Sequence, residues 1–228
     1  YDSERLTQPL KGGVEISWDQ ADQEIIEAIA AAKSSGKKVR ILSNSIISPS
    51  TNMAIQGFLT GINGEDGTLA SHITYDTVSY SGIRSANNKS FGKPVIPVYR
   101  FNKAKTIVSI SADFLGNWLM SNDYAVQYGE VRNPDGDWMT RHYQFETLMS
   151  MTGSNADYRV AIKPSEEGIV AIAIHNKIAS HLGGAKINID TTAVDEHIDQ
   201  VVADLLANRG SSLVVSGSNE ESIQLVVN

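Results

Sequence analysis

The stretch DYRVAIKPSEEGIVAIAIHNKIA, residues Asp157 to Ala179, decides the fold. It opens as a short strand over Tyr158 to Ile162, turns at Lys163-Pro164-Ser165, and runs directly into an apolar helix over Glu166 to Leu182. That helix offers little polar surface, so it is expected to be buried on more than one side. A strand end meeting a helix N-terminus is where a parallel sheet presents free amides to an anion.

The same punctuation recurs in both directions. Upstream, a helix is predicted over 17–33, with Ser17 and Gln20 in the relation of a capping box and Trp18, Ile25, Ile26 and Ile29 on its core face. Gly36 stops it, Lys38 to Ser43 reads as a strand, and Pro49-Ser50 opens a helix with the face Met53, Ile55, Phe58, Leu59 and Ile62. A strand at 72–77, a helix over 81–91 closed by Gly92, and a strand at Thr106 to Ile110 follow. Residues 111–140 are rich in Gly, Asn and Asp and are expected to form a loop-rich excursion; Arg141 to Glu146 is a further strand. Downstream, Val194, Ile198, Val201, Val202, Leu205 and Leu206 mark a helix ended by Gly210, then comes a strand at Ser212 to Ser216 and a last amphipathic helix. Repeated strand, turn and helix predict an α/β fold over 1–228: a mostly parallel sheet with helices on both faces, Rossmann-like.

Composition narrows the function classes. With 228 residues the chain can bury about 70% of its unfolded surface without a covalent staple. A formal charge of -7, from 19 Lys and Arg against 26 Asp and Glu, and the lack of a basic stripe argue against nucleic acid as a partner. No apolar run reaches the roughly 20 residues of a membrane span. Cysteine is absent, which excludes disulfides, thiolate zinc, a Cys nucleophile and Cys-ligated iron–sulfur clusters within these residues. The chain opens at Tyr1 with no initiator Met, signal peptide or lipidation motif and reads as a mature chain or a cut-out piece of one.

Four strand ends are small and polar: Ser43-Asn44-Ser45, Ser111-Ala112-Asp113, Lys163-Pro164-Ser165 and Ser216-Gly217-Ser218-Asn219. Such residues suit phosphates or a nucleotide, and equally suit plain turns and N-caps. No dinucleotide fingerprint, P-loop or G-x-S-x-G elbow occurs. His72, His142, His175, His181 and His197 are scattered, and His175 and His181 are six apart where a helical metal pair needs three or four, so no metal site is expected. Asp113 and Glu146, each just after a strand, are candidates for a ligand's ribose or base, or for caps. Trp18 reads as core, while Trp118 and Trp138, in the polar excursion, are candidates for a partner surface.

Several segments resemble one family. Arg5-Leu6-Thr7-Gln8-Pro9-Leu10-Lys11 with Ile16-Ser17-Trp18-Asp19-Gln20-Ala21, then Val39 to Ile62, Ala104 to Phe114 and Ala156 to Ala173, are similar in order and spacing to the molybdopterin oxidoreductases, the formate dehydrogenase and dimethyl sulfoxide reductase superfamily. Residues 111–118, 141–146 and 149–157 most resemble the molybdopterin-like, iron–sulfur subunit of alternative complex III, the bacterial quinol-oxidising electron-transfer complex, often described as an iron–sulfur-cluster-containing hydrogenase. The resemblance implies a periplasmic subunit on the inner membrane, partnered by other subunits of a respiratory chain complex, with no span of its own. It also implies iron–sulfur clusters in other parts of a full-length chain.

Departures from the family bear on the cofactor. Where its members hold the guanosine end of the pterin cofactor with a glycine and a proline, an Asp-Pro-Arg, and a Pro-Gly-Thr-Asp, this chain has Ser111 and Phe114, Glu146-Thr147-Leu148, and Pro164-Ser165-Glu166-Glu167. Phe114 is expected to fill nucleotide space, and Glu166 with Glu167 to repel its phosphates. Ser111, Asp113, Glu146 and Glu167 are the vestigial cofactor contacts so implied, with no catalytic residue and no metal ligand assigned; the family's metal ligand falls loosely near Ser79. The expectation is a scaffold-like domain of an oxidoreductase subunit, not catalytic alone and without its own molybdenum cofactor. The alternative is a fragment of an active molybdopterin-dependent enzyme in which those four residues touch molybdopterin guanine dinucleotide.

Overall fold

The computed structural model describes residues 5–64, 67–194 and 196–228. The chain divides into two compact units, one through Val78 and one from Ser79 onward.

The first unit opens with a two-residue hairpin, β1 (Leu10–Lys11) and β2 (Val14–Glu15), turned by Gly12 and Gly13, both at positive φ. Helix α1 (Trp18–Ser34) starts where Ser17 Oγ accepts the Gln20 amide at 3.1 Å, as its spacing predicted. Strand β3 (Val39–Ser43), helix α2 (Pro49–Asn63) and strand β4 (Ala70–Thr74) follow. β4 starts two residues before the predicted strand and pairs in parallel with β3, Val39 opposite Ala70 and Ser43 opposite Thr74. Trp18 is not core: it is 68% exposed, and Ile25 and Ile26 on the same helix are exposed as well. A two-stranded sheet is too narrow to cover two amphipathic helices, and among the described residues of this unit only Ile62 and Ala70 are buried.

The second unit holds a four-stranded, fully parallel sheet. Its elements are α3 (Ser81–Phe91), β5 (Thr106–Ile110), α4 (Ser121–Glu130), β6 (Arg141–Glu146), α5 (Met151–Ser154), β7 (Tyr158–Ala161), α6 (Glu167–Leu182), α7 (Ile198–Ala207), β8 (Ser212–Ser216) and α8 (Glu221–Val227). The strand order is β7-β6-β5-β8. All five residues of β5 are buried because both faces are covered. On one face Val108 and Ile110 pack with Tyr143, Phe145 and the apolar sides of α6 and α7. On the other, Ile107 packs with Phe101, Phe114, Tyr124 and Val215. The sheet is thus Rossmann-like, with helices on both faces.

Three local expectations change. The 111–140 excursion contains the ten-residue helix α4, since Tyr124 and Tyr128, four apart, both face the core. Trp118 is buried too and stacks on Tyr99 at 5.2 Å, so it is core rather than partner surface. The helix predicted from Val194 begins only at Ile198, because His197 takes a left-handed backbone and Val194 sits in a separate 3-10 turn.

Candidate functional site

The chain leaves β5 toward β6 and β7, then crosses to β8 on the other side, so the carboxyl ends of β5 and β8 form the topological switch point where such sheets bind ligands. Here that point is closed. The Gly217 amide donates to Ile110 O at 2.8 Å, and the Gly217 backbone lies against Ser111 and Ala112 so tightly that a Cβ has no room. The open space lies to one side, in a cleft of about 260 Å³ over the ends of β5, β6 and β7. Ser111, Asp113, Glu146 and Glu167, the four residues singled out from the sequence, all line it, together with Thr147, Leu148, Ser150 and Pro164.

Each strand end reaches the cleft by a local device. Ser111 turns the chain at φ 54, a left-handed conformation that favours glycine. Two residues on, Asp113 Oδ1 accepts the Thr152 hydroxyl at 2.7 Å and the Thr152 amide at 3.1 Å. Thr152 Oγ1 in turn accepts the Leu115 amide at 2.9 Å. Gly116 is required beside Asp113, because a Cβ there would strike the carboxylate.

Glu146 ends β6 and is 3% exposed. It accepts from the Ser150 amide (3.0 Å) and hydroxyl (2.6 Å), from Gln144 Nε2 (3.0 Å) and from Arg159 Nε (2.7 Å). Burial pushes the Glu146 carboxyl up, but the Ser150, Arg159 and Gln144 hydrogen bonds outweigh it and hold the group below the usual carboxylate range. Gly153 leaves the space the carboxylate occupies. Behind Glu146, Gln144 turns its Oε1 to His142 Nε2 at 3.3 Å, and His142 Nδ1 faces the Tyr128 hydroxyl at 3.1 Å. Burial, partly offset by Gln144, pushes the His142 imidazole down to about 4, so it is neutral near pH 7.

After β7, Glu166 accepts the Lys163 amide at 2.8 Å and pairs with Lys163 Nζ at 3.2 Å, which caps the turn and leaves neither side chain among those lining the cleft. Glu167 does line it and has no cationic partner among the described residues. Phe114 does not fill the cleft, contrary to expectation: it turns inward, fully buried, and stacks on Phe101 at 4.2 Å. An aromatic side chain gains more under the sheet than in a cleft lined by carboxylates.

The other strand ends are also satisfied internally. In the first unit the Ser45 amide and hydroxyl donate to Asp76 at 2.6 and 2.7 Å, and Ser43 Oγ lies 2.8 Å from His72 Nε2. After β8, Ser216 Oγ accepts the Ser218 amide, and buried Gln224 donates to the carbonyls of Ser216 and Ser218. Ser79 Oγ donates to the Ser81 hydroxyl and accepts the Ser81 amide just before α3, whose N-cap is Tyr80. Among the described residues no group of three or more His, Asp or Glu is placed to hold a metal. Trp138 lies at the opposite end of the sheet, with Lys105 Nζ 5.7 Å from its ring centre.

The cleft does not fit the guanosine and phosphate end of a pterin cofactor. The Ser150 amide in its lining, and the amides of Leu115, Thr152, Gly153 and Lys163 in the turns that follow the three strands, already donate to side-chain oxygens of this chain. Its uncompensated charges, Asp113 and Glu167, are negative. A phosphate charge about 4 Å from such a carboxylate costs about 4 kcal/mol at an effective dielectric near 20.

Sequence reasoning missed Ser150, Thr152, Gly153 and Arg159, which organise the site. The signal was present in His142, Gln144 and Glu146: polar residues at every second position put one polar row on a buried strand, and such a row needs partners.

No protein-family model and no curated protein matches the chain. Among solved structures it is similar to acetylene hydratase from Pelobacter acetylenicus, with a TM-score of 0.49 and 11% identity over 96% of this chain. The chain spans 33% of the length of that protein.

Proposed function

We propose that this chain is a non-catalytic scaffold domain of a molybdopterin-oxidoreductase-like, iron–sulfur subunit in a bacterial respiratory quinol-oxidising complex, facing the periplasm and holding no molybdenum cofactor of its own. The iron–sulfur clusters belong to other parts of the subunit, since this chain has no cysteine. The family part of the proposal is supported by the ordered sequence resemblance. Ser111, standing where the family has glycine, takes the left-handed backbone that glycine favours.

One observation carries the absence of cofactor: the amides that would cradle phosphates are capped by Glu146, Ser150, Asp113, Thr152 and Glu166. A ligand would have to break these bonds and bring its own negative charge to Asp113 and Glu167. Elemental analysis of the full-length protein purified with its natural partners tests this. Iron without stoichiometric molybdenum or tungsten is expected; stoichiometric molybdenum or tungsten, with fluorescent pterin released by acid, overturns it in favour of the active-enzyme alternative.

A further inference from the structure

The cleft is bordered by the two most exposed large apolar side chains of the second unit, Leu148 and Met149, with Met151 beside them. Leu148, Met149 and Met151 are 82%, 71% and 60% exposed; the first two lie in the short turn that joins β6 to α5, and Met151 is the first residue of α5. An ordinary surface turn places Gly, Asn, Asp or Ser at such positions. The segment is also held in place: the Ser150 amide and hydroxyl both donate to buried Glu146, and Ser150 Oγ accepts the Gly153 amide. The apolar side chains are therefore displayed on a braced turn, which lowers the ordering cost of burying them against a partner. Methionine is suited to this because its unbranched, polarizable chain adapts to the surface it meets.

The charge beside them has one sign. Asp113 and Glu167 line the cleft with no cationic partner within 4.0 Å among the described residues, whereas Glu146 is neutralised by Arg159. A space of about 260 Å³ lies just below the usual range for small-molecule pockets and accommodates a single long side chain.

We infer that this cleft docks a segment of a partner protein that carries large apolar side chains beside a Lys or Arg, the cation seated between Asp113 and Glu167 and the apolar groups against Leu148, Met149 and Met151. Arginine fits best, since its planar fork matches a carboxylate and its stem covers apolar surface. An acidic segment would meet two uncompensated carboxylates, and a purely apolar one would leave them partly desolvated without a partner. The inference rests on the proposed function insofar as it requires a cleft without nucleotide.

The test follows the methionine methyl signals of Met149 and Met151 by NMR in the full-length chain at low salt. Two synthetic heptapeptides are titrated, one alternating Leu with Arg and one alternating Leu with Glu; GDP is titrated separately. The Leu-Arg peptide is expected to shift both signals saturably and to bind at least about tenfold more tightly than the Leu-Glu peptide. Glu167→Lys is expected to remove that preference, and Leu148→Ser to weaken binding of the Leu-Arg peptide, with the circular dichroism spectrum unchanged in both. No saturable shift, or equal binding of the two peptides, overturns the docking inference while leaving the scaffold reading intact. Saturable binding of GDP at these signals overturns the scaffold reading itself.

Discussion

Asp113 Oδ1 accepts both the hydroxyl and the amide of Thr152, at 2.7 and 3.1 Å, so the turn after β5 and the short helix after β6 hold one another in place. A carboxylate that a nucleotide-binding reading assigns to the ligand is here an internal cap. Asp113→Ala leaves the Thr152 amide without its acceptor and is expected to destabilise the chain by about 1–2 kcal/mol. Urea unfolding measures this, and calorimetry with GDP should still show no binding heat.

Glu146 binds more of the site together. Glu146→Ala leaves the Arg159 guanidinium without its ion pair and the Ser150 amide without its acceptor, at an expected cost of about 3 kcal/mol. Gly153→Ala should also destabilise, because the added methyl collides with the same carboxylate. Chemical denaturation of both variants, compared with Thr147→Ala on the exposed part of the turn, separates this from a general effect of the loop.

Ser111 supplies a prediction of opposite sign. At φ 54 its side chain is strained, so Ser111→Gly is expected to stabilise the chain by about 0.5–1 kcal/mol and Ser111→Val to destabilise it by more than that. The pair of unfolding midpoints checks both directions.

Phe114 distinguishes a core role from a cleft-filling one. Phe114→Ala is expected to cost about 3–5 kcal/mol, because it removes the ring stacked on Phe101 and facing Tyr128 and His142. It should not open the cleft to nucleotide, since Phe114 does not line it; GDP binding gained by this variant would contradict the placement.

Acid should weaken the fold through His142. Its folded value of about 4 lies below the ordinary 6.5, so between these values the unfolded chain binds more protons and stability falls as pH falls. The contribution is complete above pH 6.5 and is lost by about pH 4, a change on the order of 3 kcal/mol. Glu146 and Asp157, both held below the usual carboxylate values, lose their contributions at still lower pH. Unfolding measured from pH 7 to 4 should show the slope, and His142→Phe should flatten it.

Local periodicity and punctuation made most elements legible. The helix over 81–91, its Gly92 stop, the strands at 106–110, 141–146 and 212–216, and the buried helix after Lys163 stand where the residues place them. These depend on backbone conformation and side-chain spacing within a few residues, which a sequence displays directly. The convergence of Ser111, Asp113, Glu146 and Glu167 on one cleft was also foreseeable, because a parallel sheet gathers its carboxyl ends on one edge.

What the sequence alone determined, then, was the alternation of strand and helix and the edge at which polar residues collect. Only the tertiary structure decided what those residues do. Asp113 meets Thr152 across 39 positions and Glu146 meets Arg159 across 13, and these pairings turn a candidate anion cradle into a closed network. The same holds for Trp18, Trp118 and Phe114. Whether an aromatic side chain faces solvent, the core or a cleft depends on how much packed surface surrounds it, a property of the assembled sheet and not of spacing along the chain.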